Sequence, residues 1–470
     1  MKKEYGILMP VFSMDNAYAI GSFGEMAKKF IDILNENGFT WWQILPLCTT
    51  DNLNSPYNST SIYSINPYYI DLEMLFLKGL ISHQDLLNQQ IHNNGRCDYL
   101  HLKKTRMHIL YKAFLKFTNT KELNNFIGNN PQIKKFCKFQ ALSEKNHTSE
   151  WQKWTSLDYE KEIERFWQFL QYEAYMQWDS LKQYANSKNV KIMGDLPMYS
   201  SYCSSDVYFF PHFYQFDENK KPIYLSGAKP DDFSSVGQCW GHPVYNWENI
   251  RNNNFCFWID KFAHYSKLFD GIRLDHFRGF ESYWVVPSTT KNALDGHYEK
   301  GPGFPLFSAA KKHLNSMIVV GEDLGITTNS VQDLINKTGF YNMRVLQYCL
   351  INSEDLPVNY SQNCIAYTGT HDNHTLKGYI NSLGTAERNE LRQILNIPYT
   401  ESLYDGIVLK MCQSNAKIIF FPLQDIIGLD DNFVFNTHKP SVYNWSFRLN
   451  KLESFEKTLK KFVKDKGIIS

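Results

Sequence analysis

Short, almost uninterrupted apolar runs recur along the chain, and each ends in polar residues. They are Tyr5–Val11, Trp41–Leu47, Val190–Pro197, Gly271–Phe277, Ile318–Leu324, Asn342–Tyr348, Cys364–Asp372 and Ile418–Asp425. Strands that are apolar on both sides are buried on both faces, as in a parallel sheet. Amphipathic stretches follow the runs, so the pattern is a βα repeat. Eight such units with polar strand C-termini predict a (β/α)8 TIM barrel in the α/β class. A doubly wound sheet is the alternative, but it calls for a glycine-rich phosphate turn, and neither G-x-G-x-x-G nor G-x-x-x-x-G-K-[ST] occurs.

The units are unevenly spaced. About 140 residues separate the second run from the third. Within them, Leu72–Phe117 and Lys153–Ala185 alternate charged with aromatic and Leu/Ile positions, which predicts a mainly helical insertion over 71–188. A further insertion, 200–262, is loop-rich. Its Tyr, Phe, Pro, Gly and Ser over Ser200–Asn254 predict loops and short strands above the barrel mouth, the face where such barrels carry function. The whole chain, 1–470, is expected to be one catalytic barrel with these insertions.

Charge narrows the function classes. With 49 Lys+Arg against 48 Asp+Glu, no basic footprint for nucleic acid or an acidic membrane exists. No apolar run approaches the ~18 residues of a spanning helix. The nine cysteines are odd in number and form no C-x-x-C pair, and Met1–Tyr5 opens no secretory pattern. The expectation is a cytoplasmic protein with reduced thiols. Aromatic residues reach 16%; most belong in a core, yet some could stack on flat, weakly polar faces such as sugars.

Four motifs carry chemistry. In Gly271–Gly279, strand alternation places Arg273, Asp275 and Phe277 on one face. A guanidinium two residues from a carboxylate keeps it ionised, as a glycosidic nucleophile requires; a structural Arg–Asp pair fits the same spacing. In Val320–Gly325, Glu322 leaves a strand between glycines that would permit close approach of a ligand. Partial desolvation there would make it a general acid, while Asp323 is expected to cap the next helix. Tyr367–His374 offers His371, Asp372 and His374. A metal would need a further ligand, so hydrogen bonding to sugar hydroxyls is the preferred reading and no metal is assigned. Finally, Asp195 in Lys191–Pro197 is a fourth strand-end carboxylate, with Arg273 as its expected partner. Carboxylates gathered at one end of a barrel suggest glycosyl transfer or hydrolysis through an oxocarbenium-like transition state.

With these segments in order, the chain resembles the amylomaltase family, the 4-α-glucanotransferases. The resemblance is carried by Trp42–Leu47, Asn54-Ser55-Pro56-Tyr57, Gly194–Pro197, Gly237–Gly241, Gly271–Gly279, Gly321–Gly325, Thr370–Asn373 and Phe421–Asp425. It implies an α-retaining transglycosylase on a barrel of the α-amylase type. Asp275 would be the nucleophile, Glu322 the acid and base, and Asp372 the ligand of the donor sugar's hydroxyls. Arg273 and His371 would support them, with Asp195 holding the cluster together. Ser55, Tyr57, Asp231, Trp240 and Asn436 would line the glucan groove. The partners implied are maltodextrins, starch and glycogen. No cofactor is implied, and no D-x-[DN]-x-[DN]-G calcium loop occurs.

Several positions depart from the family pattern. Asp232 replaces a Tyr and Lys229 a Pro in Lys229–Ser234, His242 stands where Asn is usual, and Ser22 where Asp is common. His438-Lys439 occupies the place of a Pro-Gly turn. These bear on product profile rather than reaction class. A retaining α-glucoside hydrolase would use the same carboxylates with water as acceptor, and a non-catalytic glucan-binding protein would keep only the groove.

Overall fold

The computed structural model describes residues 3–230, 234–325, 328–437 and 441–468. Twelve strands are present among them. In chain order these are β1 (Glu4–Leu8), β2 (Trp41–Gln43), β3 (Lys191–Leu196), β4 (Tyr224–Ala228), β5 (Gln238–Pro243), β6 (Gly271–Leu274), β7 (Ser282–Pro287), β8 (His297–Lys300), β9 (Ile318–Gly321), β10 (Tyr341–Val345), β11 (Cys364–Tyr367) and β12 (Ile418–Pro422). Eight of them close a barrel in the order β1-β2-β3-β6-β9-β10-β11-β12, and β12 pairs in parallel with β1. Each predicted run contributes one of these strands.

Alternation decides which side chains fill the barrel. Trp41, Met193, Val320, Met343, Val345, Ile365, Tyr367, Ile418 and Phe420 form a closed inner cluster, while Ile192, Ile272 and Leu274 point outward into the core beneath the helices. Gly6 explains how so many large rings fit: a Cβ there would lie 2.2 Å from the Phe420 ring.

Residues 71–188 carry helices at Leu72–Leu77, His83–Leu87, Tyr99–Lys116, Thr120–Asn129, Pro131–Lys145 and Lys161–Ser187. The last helix begins eight residues later than its aromatic pattern suggests, because Trp154 is extended at ψ 133° and ends the turn Trp151–Lys153. None of the described helices is long and apolar enough to cross a membrane.

The remaining strands form a four-stranded antiparallel sheet ordered β5-β4-β7-β8. Its first two members come from the connection after β3 and its last two from the connection after β6. The pairing between Tyr224–Gly227 and Trp284–Pro287 therefore stitches two barrel loops into one cap.

Two expectations need correction. Phe277 does not share a face with Arg273 and Asp275. β6 ends at Leu274, His276 adopts a left-handed φ of 46°, and Phe277 then packs with Phe280, Phe307 and Phe340 outside the barrel. Asp323 does not cap the helix Asn329–Thr338, whose N-cap position is Thr328. Its buried carboxylate instead accepts from the Met343 N–H at 2.8 Å and Asn342 Nδ2 at 2.7 Å, and pairs with Arg344 at 3.3 Å, tying β10 to the end of β9.

Candidate active site

Parallel register brings the strand-end residues together. Asp195 on β3 stands beside Arg273 on β6, and Leu274 beside Gly321 of β9, so Asp275 and Glu322 leave adjacent strands at the same level. The Arg273 guanidinium, buried beneath them, organises the cluster. Its Nη1 donates to Asp195 at 2.9 Å and to Asp275 at 3.0 Å, while Nη2 reaches Glu322 at 2.6 Å. Burial works against its charge, but Asp195, Glu322 and Asp275 outweigh that and raise its pKa well above the ordinary value. It is a permanent cation.

The backbone completes the arrangement. Asp275 N–H donates to Leu196 O at 3.1 Å, and Asp275 Oδ2 accepts from Met198 N–H at 3.4 Å. The left-handed turn at His276 aims its N–H at Glu322 Oε2, 2.7 Å away. Burial lifts the Glu322 carboxyl to about 7, with Asp275 and Asp372 adding to the rise and Arg273 and the His276 N–H opposing it. Such a carboxyl can hold a proton near neutrality and release it. The side chains of Asp275 and Glu322 remain 24% and 22% accessible, enough to meet a substrate. Gly321 does not open space for a ligand: a Cβ there would press on the Phe277 ring at 2.7 Å.

A second group converges from β11. His371 Nε2 lies 2.9 Å from Asp372 Oδ2, and Asn436 Nδ2 donates to Asp372 Oδ1 at 2.8 Å. Burial lowers the His371 pKa, but the Asp372 carboxylate overrides it and the net shift is upward. Tyr57 joins the two groups. Its hydroxyl donates to Asp195 at 2.7 Å and its ring stacks on His371 at 4.9 Å. His374 turns elsewhere, to Asp431 at 2.7 Å, so the two histidines do not converge. Among the described residues no group of His, Cys, Asp and Glu could hold a metal ion.

Seven of the predicted residues thus meet directly: Asp195, Arg273, Asp275, Glu322, His371, Asp372 and Tyr57, with Asn436 as the eighth on Asp372. Trp240, on β5 of the cap, places its ring edge-on to His276 at 4.9 Å. Ser55 sits in the loop after β2, and its hydroxyl accepts from the Tyr57 N–H at 3.4 Å without touching the carboxylates. Asp231 and its neighbour Asp232 lie outside the described residues, as do His438 and Lys439. Ser22 serves Asp71, the N-cap of Leu72–Leu77, at 2.7 Å, away from the cluster.

Sequence reasoning missed Trp445 and the His276 amide, and read His242 only as a departure from the family pattern. His242 stacks on Tyr199 at 6.5 Å, and burial takes its pKa down to about 4 even though Asp275 and Asp51 pull it up, so the imidazole is neutral. Trp445 flanks Tyr57 and His371 at 5.9 and 6.0 Å. The His276 amide is a backbone donor that no side-chain motif reports; the one sequence signal is that His tolerates a left-handed conformation better than most residues.

Residues 9–454 match the family model described as 4-alpha-glucanotransferase. The 4-alpha-glucanotransferase of Clostridium butyricum is 36% identical over 463 residues, covering 94% of this chain and 95% of that one. Its counterpart from Streptococcus pneumoniae is 33% identical over 474 residues, covering 96% and 94%. The solved amylomaltase from Streptococcus agalactiae in complex with acarbose superposes with a TM-score of 0.93 at 31% identity over 99% of each chain. The match over nearly the full length, with the strand-end cluster intact, places this chain in the 4-alpha-glucanotransferase family, the amylomaltases.

Proposed function

We propose that the chain transfers α-1,4-glucan segments from a donor maltodextrin to the 4-hydroxyl of an acceptor glucan or glucose by a retaining double displacement. The observation that carries this reading is the single guanidinium of Arg273, which grips Asp275 on one nitrogen and Glu322 on the other. That grip keeps the carboxyls close, which suits the separation of about 5–5.5 Å in retaining pairs.

In the first step Asp275 attacks the anomeric carbon, the glycosidic C–O bond breaks, and Glu322 passes its proton to the departing 4-oxygen. The glycosyl–Asp275 ester then waits for an acceptor. Glu322, now ionised, takes the proton of the acceptor's 4-hydroxyl as that oxygen attacks and the ester opens. Asp372, oriented by His371 and Asn436, binds hydroxyls of the donor sugar and favours its distorted form. Arg273 and Asp195 hold the array in register. Trp240 and Tyr57 line the groove, and the cap favours a bound sugar over water by orientation and exclusion.

Incubation with maltotriose tests this directly, following glucose, chain lengths and total reducing ends together. Transfer yields glucose and longer maltodextrins at constant reducing ends. Rising reducing ends without longer chains would mean a hydrolase, and no change at all would mean a glucan-binding protein.

A further inference from the structure

Behind the cluster lies a lysine that the mechanism does not use. Lys261, on the helix Cys256–Leu268, is fully buried. Its Nζ sits 4.5 Å from the Trp258 ring centre and 4.6 Å from that of Phe257. It makes no ion pair among the described residues. The nearest attracting carboxylate, Asp206, is occupied by the Ser61 and Ser205 hydroxyls and the Ile62 N–H. Burial draws the ammonium down to about 7 against the pull of Asp206. A buried, unpaired cation destabilises a fold, and an apolar side chain of the same length would pack there at lower cost.

The hydrogen bonds from Lys261 lead to the nucleophile's support. Lys261 Nζ donates to the Tyr245 hydroxyl at 2.9 Å, and that hydroxyl donates to Met198 O at 2.7 Å. Met198 is the residue whose N–H faces Asp275 Oδ2. Two residues earlier, Leu196 O accepts from the Asp275 N–H. The segment Leu196–Met198 therefore grips Asp275 by backbone and by side chain, and Pro197 between them fixes its φ. Gly279 closes the other side, since a Cβ there would meet Met198 Sδ at 2.3 Å. Tyr245 also stands two residues beyond β5, so this contact joins the cap to the segment that holds Asp275.

From this geometry we infer that Lys261 and Tyr245 are positioning residues for the transfer reaction: they pin the Met198 carbonyl so that its N–H orients Asp275 for attack. The inference rests on Asp275 being the nucleophile. The loss of a positioning contact shows in kcat rather than in substrate affinity, because the groove itself is untouched.

The test uses the full chain with Tyr245→Phe, Lys261→Met, their double variant and Asp275→Asn, assayed on maltotriose alongside thermal unfolding. We expect each single variant to lose about tenfold in kcat with KM within about twofold, and the double variant to lose no more than either single. Lys261→Met should unfold at the wild-type temperature or higher, which a merely structural lysine would not allow. Wild-type kcat in folded Tyr245→Phe, losses that multiply in the double variant, or a raised KM at unchanged kcat would each overturn the relay. Should Lys261→Met fail to fold, it is structural after all, which also removes it from the relay, and Tyr245→Phe then decides the role of Tyr245. Normal turnover by Asp275→Asn would instead overturn the underlying assignment of the nucleophile.

Discussion

The two carboxylates proposed as nucleophile and as ligand of the donor sugar, Asp275 and Asp372, are held in different ways. Asp275 leaves its strand by one residue and is gripped by the guanidinium of Arg273 and by the backbone of Leu196–Met198. Asp372 stands five residues beyond β11, is 37% accessible, and relies on an imidazole and an amide, His371 and Asn436. The first support cannot titrate and belongs to the barrel wall. The second depends on a proton and on a segment near the chain's end. The difference suits a division of labour, since a nucleophile must be aligned before substrate arrives while a hydroxyl-binding group can settle with it.

Replacing Asp275 by Asn should break the comparison most completely, lowering kcat by about 10⁴-fold or more while glucan binding stays measurable. Arg273→Lys comes next. A lysine cannot serve three carboxylates, so transfer should fall by about 10²–10³-fold and stability by about 3 kcal/mol, read by kinetics and denaturant unfolding. The pH profile sharpens the contrast: Glu322 must carry its proton in the first step, so kcat/KM should fall about tenfold per pH unit above about 7. A profile flat to pH 9 would remove Glu322 as the acid. Asn436→Ala, which takes one hydrogen bond from Asp372, should cost only about tenfold in kcat/KM.

The smallest effect concerns stability. Asp425, in the short helix Leu423–Ile427 that follows β12, accepts from the Thr368 hydroxyl at 2.6 Å and the Leu376 N–H at 2.7 Å, and burial raises its pKa to about 7. A carboxyl raised on folding stabilises most below its unfolded pKa of roughly 3.9, and that contribution is lost as pH climbs through 7. Asp425→Asn should therefore gain on the wild type in melting temperature between pH 4 and pH 8. An equal difference at both pH values would contradict the assignment.

The barrel was legible because its strands are buried on both faces, so eight runs such as Val190–Pro197 stood out without help from long-range information. The Asp195–Arg273 pair was legible for a related reason, as both are polar interruptions of apolar strands. The cap sheet was not. β8 (His297–Lys300) is largely exposed and mixed in character, and nothing in the sequence pairs β7 with β4, some sixty residues earlier. Phe277 misled because alternation presumes a continuing strand, and one left-handed residue, His276, ended it. Asp323 resembled a cap because a helix follows, yet its oxygens are satisfied across the sheet by β10. The motif around Asp275 contained the nucleophile candidate, whereas the amides that orient it and Glu322 belong to Met198 and His276 through their backbones.

The stitched cap has a consequence for how this architecture can change. Since β4 and β7 pair across two separate barrel connections, neither loop has a complete sheet of its own. A graft that exchanges only residues 200–262 with those of a relative would leave β7, and β8 beyond it, paired to a foreign β4 edge. Exchange of the cap between relatives is thus a matter of moving both connections together, and a recombinant library built on single-loop crossovers would sample mostly broken covers.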